Sequence, residues 1–257
     1  MYKSHIQRIF QNPIKLSILI ILVFIPSFEV LQLIYQLRNF ELERTVYKLF
    51  FLSGAGRGHL FQVIYLWLLP LYLLFIVSDD SCYDEKIGYK YVLMSRVGRK
   101  KYIQEKWITS FVFSTLIMFI SLFLNIVFVY LAFGSRCSDA YIARDLVGMS
   151  GILEQLSLSY PLFTYFIYTI IASIINGFVG MLGAIISTTF RDKKYTYAIT
   201  FMIWLIFIVM DDSIMLVLQP YIEYPMNILI RIFIKFIFTC LCFGVGACVY
   251  EKKRACE

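Results

Sequence analysis

Residues 108–133 read ITSFVFSTLIMFISLFLNIVFVYLAF, a run of 26 residues without a charged side chain. A helix needs about 20 mostly apolar residues to cross the hydrocarbon core of a bilayer, so this run is long enough to span a membrane. A membrane β-barrel would instead show short segments of alternating hydrophobicity. The sequence therefore predicts an all-α integral membrane protein, one domain over 1–257, with six transmembrane helices at about 14–36, 61–78, 108–133, 161–189, 196–217 and 226–250.

The composition of the whole chain points to the same class. Of its 257 residues, 60% are hydrophobic and 16% charged, and the mean hydropathy is +0.74. Soluble proteins have about 45–50% apolar and about 25% charged residues, and a soluble globule of this size cannot bury so much apolar surface. Disordered chains are poor in aromatic residues, which make up 18% here. Two histidines, and six cysteines without a CxxC pair, argue against a metal centre or a disulfide framework.

The distribution of basic residues predicts the orientation in the membrane. The net charge is +7, which we attribute to the excess of Lys and Arg in cytosolic loops and not to nucleic-acid binding. Six spans place both termini on one side. The termini, the loop between spans two and three (the 2–3 loop) and the loop between spans four and five carry 16 Lys and Arg, against 6 in the other loops. We expect a multi-pass protein of a bacterial cell membrane with both termini in the cytosol.

Three segments outside the spans have recognisable patterns. Segment 1–13 places its apolar residues on one helical stripe and predicts an amphipathic helix in the membrane interface, in contact with lipids; the alternative is a basic N-terminus that only orients span one. Segment 134–160 is predicted to be an outer loop. Segment 211–226 is predicted to lie outside as well, with enough apolar residues to dip back into the membrane.

The 2–3 loop, residues 79–107, is the largest predicted cytosolic segment. Asp84 and Glu85 stand where the start of a helix favours negative charge. An apolar face follows at helical spacing, and Gly98 suits a turn. We predict a short amphipathic helix, a turn and a basic lead into span three, a shape that another protein can grip; the alternative is an interfacial hairpin that only anchors the loop. The apolar face consists of Tyr83, Ile87, Tyr91 and Met94.

Charged residues inside spans are costly and mark functional hypotheses. Glu29 of span one and Arg231 and Lys235 of span six lie at a similar outer level, if helices rise about 1.5 Å per residue. We expect Glu29 to pair with Arg231 or Lys235, or these side chains to line an outer gate of a transport path. The alternative is that both basic side chains extend to the outer headgroups.

The sequence contains no motif of a self-contained enzyme. The patterns GxxxxGK[ST], HExxH and GxSxG do not occur, and Asp79-Asp80 and Asp211-Asp212 stand at span ends, where ordinary solvated carboxylates belong. We therefore expect no catalytic residues, metal or cofactor on this chain.

The layout resembles the ABC-2 type permeases, also called type V exporters. The resemblance covers most of the chain in topology: an N-terminal interfacial helix, six spans, a cytosolic 2–3 loop and an element before span six that can re-enter the membrane. Its most motif-like stretch runs from Asp84-Glu85-Lys86-Ile87-Gly88 through Ser95-Arg96-Val97-Gly98 to Lys106, although the proline often found at this turn is absent.

This resemblance implies a transport subunit that works with a separate ATPase. Two permeases, identical or homologous, and two ATPase subunits would form the unit, with ATP and Mg²⁺ bound by the ATPases. The 2–3 loop would be the coupling helix that docks on the ATPase. By this analogy the coupling helix, which includes Gly88, has Tyr83, Ile87, Tyr91 and Met94 as docking anchors. The residues that fix its orientation are Asp84, Glu85, Arg96, Arg99 and Lys100.

The cargo expected from the aromatic spans is an amphipathic peptide or a lipid-like compound, and bacteriocin or lantibiotic export or immunity is the narrower expectation. A secondary transporter or channel is an alternative, but it predicts inverted repeats or midplane charges, which the sequence lacks. A membrane enzyme is disfavoured by the missing motifs. A membrane scaffold or sensor that recruits a soluble partner through the 2–3 loop is the remaining alternative.

Overall fold

The structure is a computed structural model that describes residues 2–39, 49–54, 59–133, 160–190, 192–220 and 225–256. These residues are almost entirely helical and include no strand, which confirms the all-α part of the predicted fold class. All but the last residue of the predicted outer loop 134–160 lies outside the described residues. In chain order the helices are α1 (Tyr2–Gln11), α2 (Pro13–Asn39), α3 (Leu60–Trp67), α4 (Leu69–Leu73), α5 (Asp80–Lys86), α6 (Tyr89–Val97), α7 (Arg99–Phe133), α8 (Pro161–Thr189), α9 (Lys193–Val209), α10 (Ile214–Leu218) and α11 (Met226–Cys256).

Several of these helices are long and apolar enough to cross a membrane. Four qualify individually, namely α2, α7, α8 and α11. Helix α4 continues as a π-helical turn to Ser78, and α3 and α4 together form a fifth candidate span, bent by 53°. In the described part of the chain there are thus four candidate spans, or five when the bent pair counts as one, and the protein is a membrane protein by this measure.

The N-terminal helix packs against the bundle. It ends at Gln11, two residues earlier than predicted, because Asn12 caps the next helix: its Oδ1 accepts a hydrogen bond from Ile14 N at 3.0 Å. Ile9 is buried, and the Phe10 ring meets the Phe113 ring of α7 edge to face, with the ring centroids 6.3 Å apart. One face of α1 therefore lies on protein, while Phe10 and Ile6 remain half exposed.

Pro70 explains the bend in the second span. Proline has no N–H, so the carbonyl of Leu66, four residues earlier, loses its helical partner. Trp204 of α9 replaces that partner, since its Nε1 donates a hydrogen bond to Leu66 O at 2.9 Å. The Trp204 side chain is buried, and an unpaired carbonyl at this depth would be costly.

Pro26 in α2 is compensated in a similar way. It leaves the carbonyl of Leu22 without an N–H partner, and Ser121 Oγ of α7 donates to Leu22 O at 3.3 Å and to Val23 O at 2.8 Å. Four residues further along α7, Asn125 Nδ2 donates to Pro26 O at 2.7 Å. Two buried polar side chains of the apolar run 108–133 thus hold α2 against α7.

Helices α7 and α8 form the most extensive helix pair of the bundle. Their backbones approach so closely that a Cβ atom at Gly180 would lie 2.0 Å from Ser114 Oγ and 3.1 Å from the carbonyl oxygen of Ser110. Asn176 Nδ2 donates a hydrogen bond across the same contact to Ser114 O at 2.6 Å. Small residues and interhelical hydrogen bonds drive helix association in membranes, where the hydrophobic effect between helices is absent.

The predicted span at 196–217 is divided in the structure. Helix α9 ends at Val209, and α10 is a separate short helix that begins after Ser213, whose Oγ accepts a hydrogen bond from Met215 N at 3.2 Å. Asp211 and Asp212 lie in the break, because charged side chains are costly inside the bilayer. Helix α10 packs back onto α8 and α11, with Ile214 fully buried.

Candidate functional site

The 2–3 loop folds into two short helices instead of the single amphipathic helix that the sequence predicts. Helix α5 ends at Lys86, and α6 begins at Tyr89. Gly88 between them has a φ of 74°, in the left-handed region where glycine is the favoured residue. The predicted turn at Gly98 is present, with a φ of 87°, and it separates α6 from α7. The loop is therefore a compact helical hairpin at one end of the bundle.

An apolar surface on this hairpin is exposed. Tyr83, Ile87 and Tyr91 are each more than half exposed, at 57%, 57% and 54%. Val92, which the sequence pattern missed because it lies off the stripe, is 46% exposed, whereas Met94 is half-buried. We call Tyr83, Ile87, Tyr91 and Val92 the docking surface. The break at Gly88 leaves three of the four predicted apolar anchors exposed.

Asp84 and Glu85 do not face outward as predicted for residues that orient a partner. Both are buried, with Asp84 2% and Glu85 8% exposed. The Arg8 guanidinium of α1 donates two hydrogen bonds to the Asp84 carboxylate at 2.8 and 3.0 Å, and Lys90 Nζ lies 3.0 Å from Glu85 Oε2. Asp84 thus attaches the hairpin to α1, and Glu85 joins the two helices of the hairpin to each other.

The aspartates at the start of the hairpin are also bound within the protein. Lys15 Nζ of α2 lies 3.1 Å from Asp79 Oδ1 and 2.7 Å from Asp80 Oδ1, and Lys193 Nζ of α9 lies 2.8 Å from Asp79 Oδ2. Asp79 is 6% exposed, so the expectation of two ordinary solvated carboxylates was wrong for this residue. Lys106 Nζ of α7, also buried, donates to Val77 O at 3.1 Å.

The end of the last helix joins the same network. Arg99 Nε donates to Glu251 Oε2 of α11 at 2.9 Å, and Lys90 Nζ lies 3.9 Å from Glu251 Oε1. Lys90 also donates to the carbonyl of Thr188 in α8 at 2.9 Å. Arg99 is thus engaged inside the protein and not on the docking surface, whereas Arg96 and Lys100, the other predicted basic contacts, are exposed.

Asp84 and Asp80, two of the three carboxylates of α5, differ in the direction of their pKa shift. Burial raises the pKa of Asp84 above its usual value, although the Arg8 guanidinium acts in the opposite direction. Burial also acts to raise the pKa of Asp80, but the Lys15, Lys106 and Arg8 cations together outweigh it, and the pKa lies below its usual value. Asp84 therefore depends on Arg8 to keep its charge in a desolvated position.

Taken together, these ion pairs connect the docking surface to most of the bundle. Through them, and through the hydrogen bond from Lys90 to Thr188 O, the hairpin contacts α1, α2, α8, α9 and α11. Lys15 and Asp79 are both buried, and removing one partner of such a pair typically costs about 3–5 kcal/mol, so the hairpin and the start of α2 resist moving apart. Sequence reasoning missed the pairs that the hairpin makes with other helices because their partners are at least 64 residues apart and no local spacing relates them.

The three charged residues predicted at the outer gate differ in burial. Glu29 is buried, at 2% exposure, on α2. Arg231 and Lys235 are exposed on α11, and Lys235 Nζ lies 3.2 Å from Asp212 Oδ2 in the break before α10. The structure thus gives Lys235 a partner that the sequence analysis did not consider, while a contact of Glu29 with Arg231 stays a prediction. Among the described residues, no group of three or more His, Cys, Asp or Glu side chains is placed to hold a metal ion.

Comparison with known proteins identifies one relative over the full length. The chain is 40% identical over 253 residues to the uncharacterized protein YybM of Bacillus subtilis strain 168, with 98% of each chain covered. No family model matches the chain. No solved structure matches it either.

Proposed function

The chain belongs to the same family as the uncharacterized Bacillus subtilis protein YybM, and we propose that it is the membrane-spanning permease subunit of an ABC exporter of the ABC-2 type. The observation that carries this proposal is the docking surface. Tyrosine, isoleucine and valine side chains stand exposed on a hairpin outside the candidate spans. Such a surface is typical of a protein–protein contact.

The proposed topology has six spans with both termini in the cytosol. Helix α9 supplies the fifth of these spans in chain order: its 17 residues extend over about 25 Å, slightly less than the hydrocarbon thickness. The bent α3–α4 pair supplies the second. This arrangement puts the docking surface, α1 and the C-terminal end of α11 on the cytosolic side, where the basic residues are concentrated.

In the proposed mechanism the hairpin moves as a rigid unit together with the helix ends. Two ATPase subunits bind ATP and Mg²⁺ and close against each other, and each draws the docking surface of one permease with it. Because ion pairs fix the hairpin to α2, α9 and α11, this movement is passed to the helix ends and not absorbed within the loop. The spans would then alternate between inward- and outward-facing states. An amphipathic peptide or lipid-like compound remains the proposed cargo.

The proposal is tested by placing a charge on the docking surface. Ile87→Asp and Tyr91→Asp put a carboxylate into the contact, so a P-loop ATPase that copurifies with the tagged wild-type chain from its native membranes should be lost from both variants. Copurification is measured by quantitative mass spectrometry, and ATP hydrolysis of the isolated complex is measured in parallel. Gln104→Asp is the matched control, because it adds the same charge at an exposed position of α7, outside the two hairpin helices.

Three outcomes would contradict the exporter reading. If both docking variants retain the ATPase, the docking surface is not the site at which the ATPase binds. A soluble partner without ATPase activity would favour the scaffold or sensor. Cargo movement that needs an ion gradient and no ATPase would favour a secondary transporter.

A further inference from the structure

A cavity of about 560 Å³ lies between α8, α9 and α11, apart from the docking surface. Its walls come from the last turns of α8, from Ile199 of α9 and from residues 242–250 of α11. The candidate spans of α8 and α11 end at Thr189 and Glu251, so the cavity lies at the membrane boundary. Its volume falls in the range of about 300–1,000 Å³ that is typical of small-ligand sites.

The residues that line the cavity favour an apolar ligand. The polar wall residues are Thr189, Cys242 and Tyr250, and the others are aliphatic or aromatic or lack a side chain. The Thr189 hydroxyl already donates to Ile185 O at 2.9 Å, within its own helix. A ligand recognised by several hydrogen bonds would find few partners here, whereas a hydrocarbon chain fills such a space without desolvating polar groups.

Along one face of α11 the residues change from apolar to aromatic to basic. This is the order in which a phospholipid would meet them, from its acyl chain to its headgroup. Cys242, Gly246, Tyr250 and Lys253 lie at i, i+4, i+8 and i+11, which places them on one helical stripe. The first two line the apolar interior, and Tyr250 stands at the end of the span, where amphipathic aromatic rings favour the headgroup level. Lys253 is exposed two residues beyond the span and attracts anionic headgroups.

We propose that this cavity holds one acyl chain of an anionic phospholipid, whose phosphate is bound by Lys253. The lipid comes from the leaflet that contains the C-terminal end of α11, the cytosolic one in the proposed orientation. This inference does not depend on the exporter proposal. An occupied cavity braces α11 against α8 beside Glu251, the residue that holds Arg99 and Lys90.

The test uses the full chain in nanodiscs of phosphatidylethanolamine and phosphatidylglycerol, with a trace of phosphatidylglycerol that carries a diazirine on its acyl chain. After photolysis, peptide mapping should find labels at 185–190 and 242–250 in higher yield than at Ile230 and Ile234, which are exposed apolar residues of the same helix. A phosphatidylcholine probe with the same chain should label the cavity about fivefold less, and Lys253→Gln should abolish this difference.

A cavity-filling variant separates the site from general lipid contact. A Cβ at Gly246 would meet no heavy atom within 4 Å, and Gly246 lines the cavity, so Gly246→Phe should lower cavity labelling about tenfold by excluding the chain. Val245→Phe is the matched control, because Val245 is 65% exposed on the neighbouring face, and it should leave cavity labelling unchanged. Cys242→Leu provides a second filling variant if Gly246→Phe does not give a monodisperse protein.

Several results would overturn the proposal. They are equal labelling of the wild type and both filling variants, cavity labelling no higher than at Ile230, and equal labelling by the two headgroups. Displacement of the lipid probe by an amphipathic peptide, with the peptide labelled in its place, would identify the cavity as a cargo site and would also overturn it.

Discussion

At the scale of single residues, buried polar side chains compensate for the prolines of the spans. Trp204 is the clearest case, because its indole N–H replaces the N–H that Pro70 cannot donate to Leu66 O. Trp204→Phe keeps most of the packing and removes the donor, so the free energy of unfolding should fall by about 1–2 kcal/mol. The measurement is the temperature at which the detergent-solubilised protein loses its monodisperse elution peak. Trp67→Phe, a change at a more exposed tryptophan, should have little effect.

A double-mutant cycle tests the assignment to Pro70. In a Pro70→Ala background the new N–H at position 70 can bond the Leu66 carbonyl, so Trp204→Phe should then cost clearly less than in the wild type. Equal costs in both backgrounds would mean that Trp204 stabilises the protein by packing alone.

At the scale of helix pairs, the contact between α7 and α8 depends on the absence of a side chain. Gly180→Ala would place its Cβ 2.0 Å from Ser114 Oγ and 2.6 Å from Ser114 Cβ, so the helices must separate and the free energy of unfolding should fall by about 1–3 kcal/mol. Thermal stability in detergent measures this change. Gly246→Ala is the matched glycine control, since its Cβ has open space. Addition of Ser114→Gly should restore stability to Gly180→Ala, and failure to do so would place the strain elsewhere.

The second prediction for helix pairs concerns the ion pairs between the hairpin and α11. Glu251→Gln removes the carboxylate that Arg99 and Lys90 share, and leaves Lys90 with Glu85 and the Thr188 carbonyl. We expect faster amide hydrogen exchange in α6 and in the last turns of α11, with exchange in the α7–α8 contact unchanged. Lys194→Gln, at an exposed position of α9, serves as the control. Unchanged exchange in α6 would mean that Glu251 does not hold the hairpin.

At the scale of the whole molecule, the number of spans decides on which side each end lies. Six crossings put both termini in the cytosol, whereas five, without α9, would put them on opposite sides. In intact cells a membrane-impermeant maleimide should therefore label a single-cysteine variant that retains Cys137, in the predicted outer loop. It should leave Cys256, and a cysteine introduced by Ser4→Cys, unlabelled until the cells are opened. Labelling of Cys256 from outside would contradict the topology and the cytosolic position of the docking surface.

The sequence by itself determined the membrane class, the all-helical fold, the approximate position of most candidate spans and the place of the hairpin, because long apolar runs and glycine turns act through local chain properties. Only the tertiary structure decided that Asp84 and Glu85 point inward, that Lys235 meets Asp212, and that Trp204 and Ser121 serve carbonyls freed by prolines. Each of these depends on which helices lie side by side. Helical spacing identifies the residues that share a face, but the partner of that face is set by the packing of helices distant in sequence.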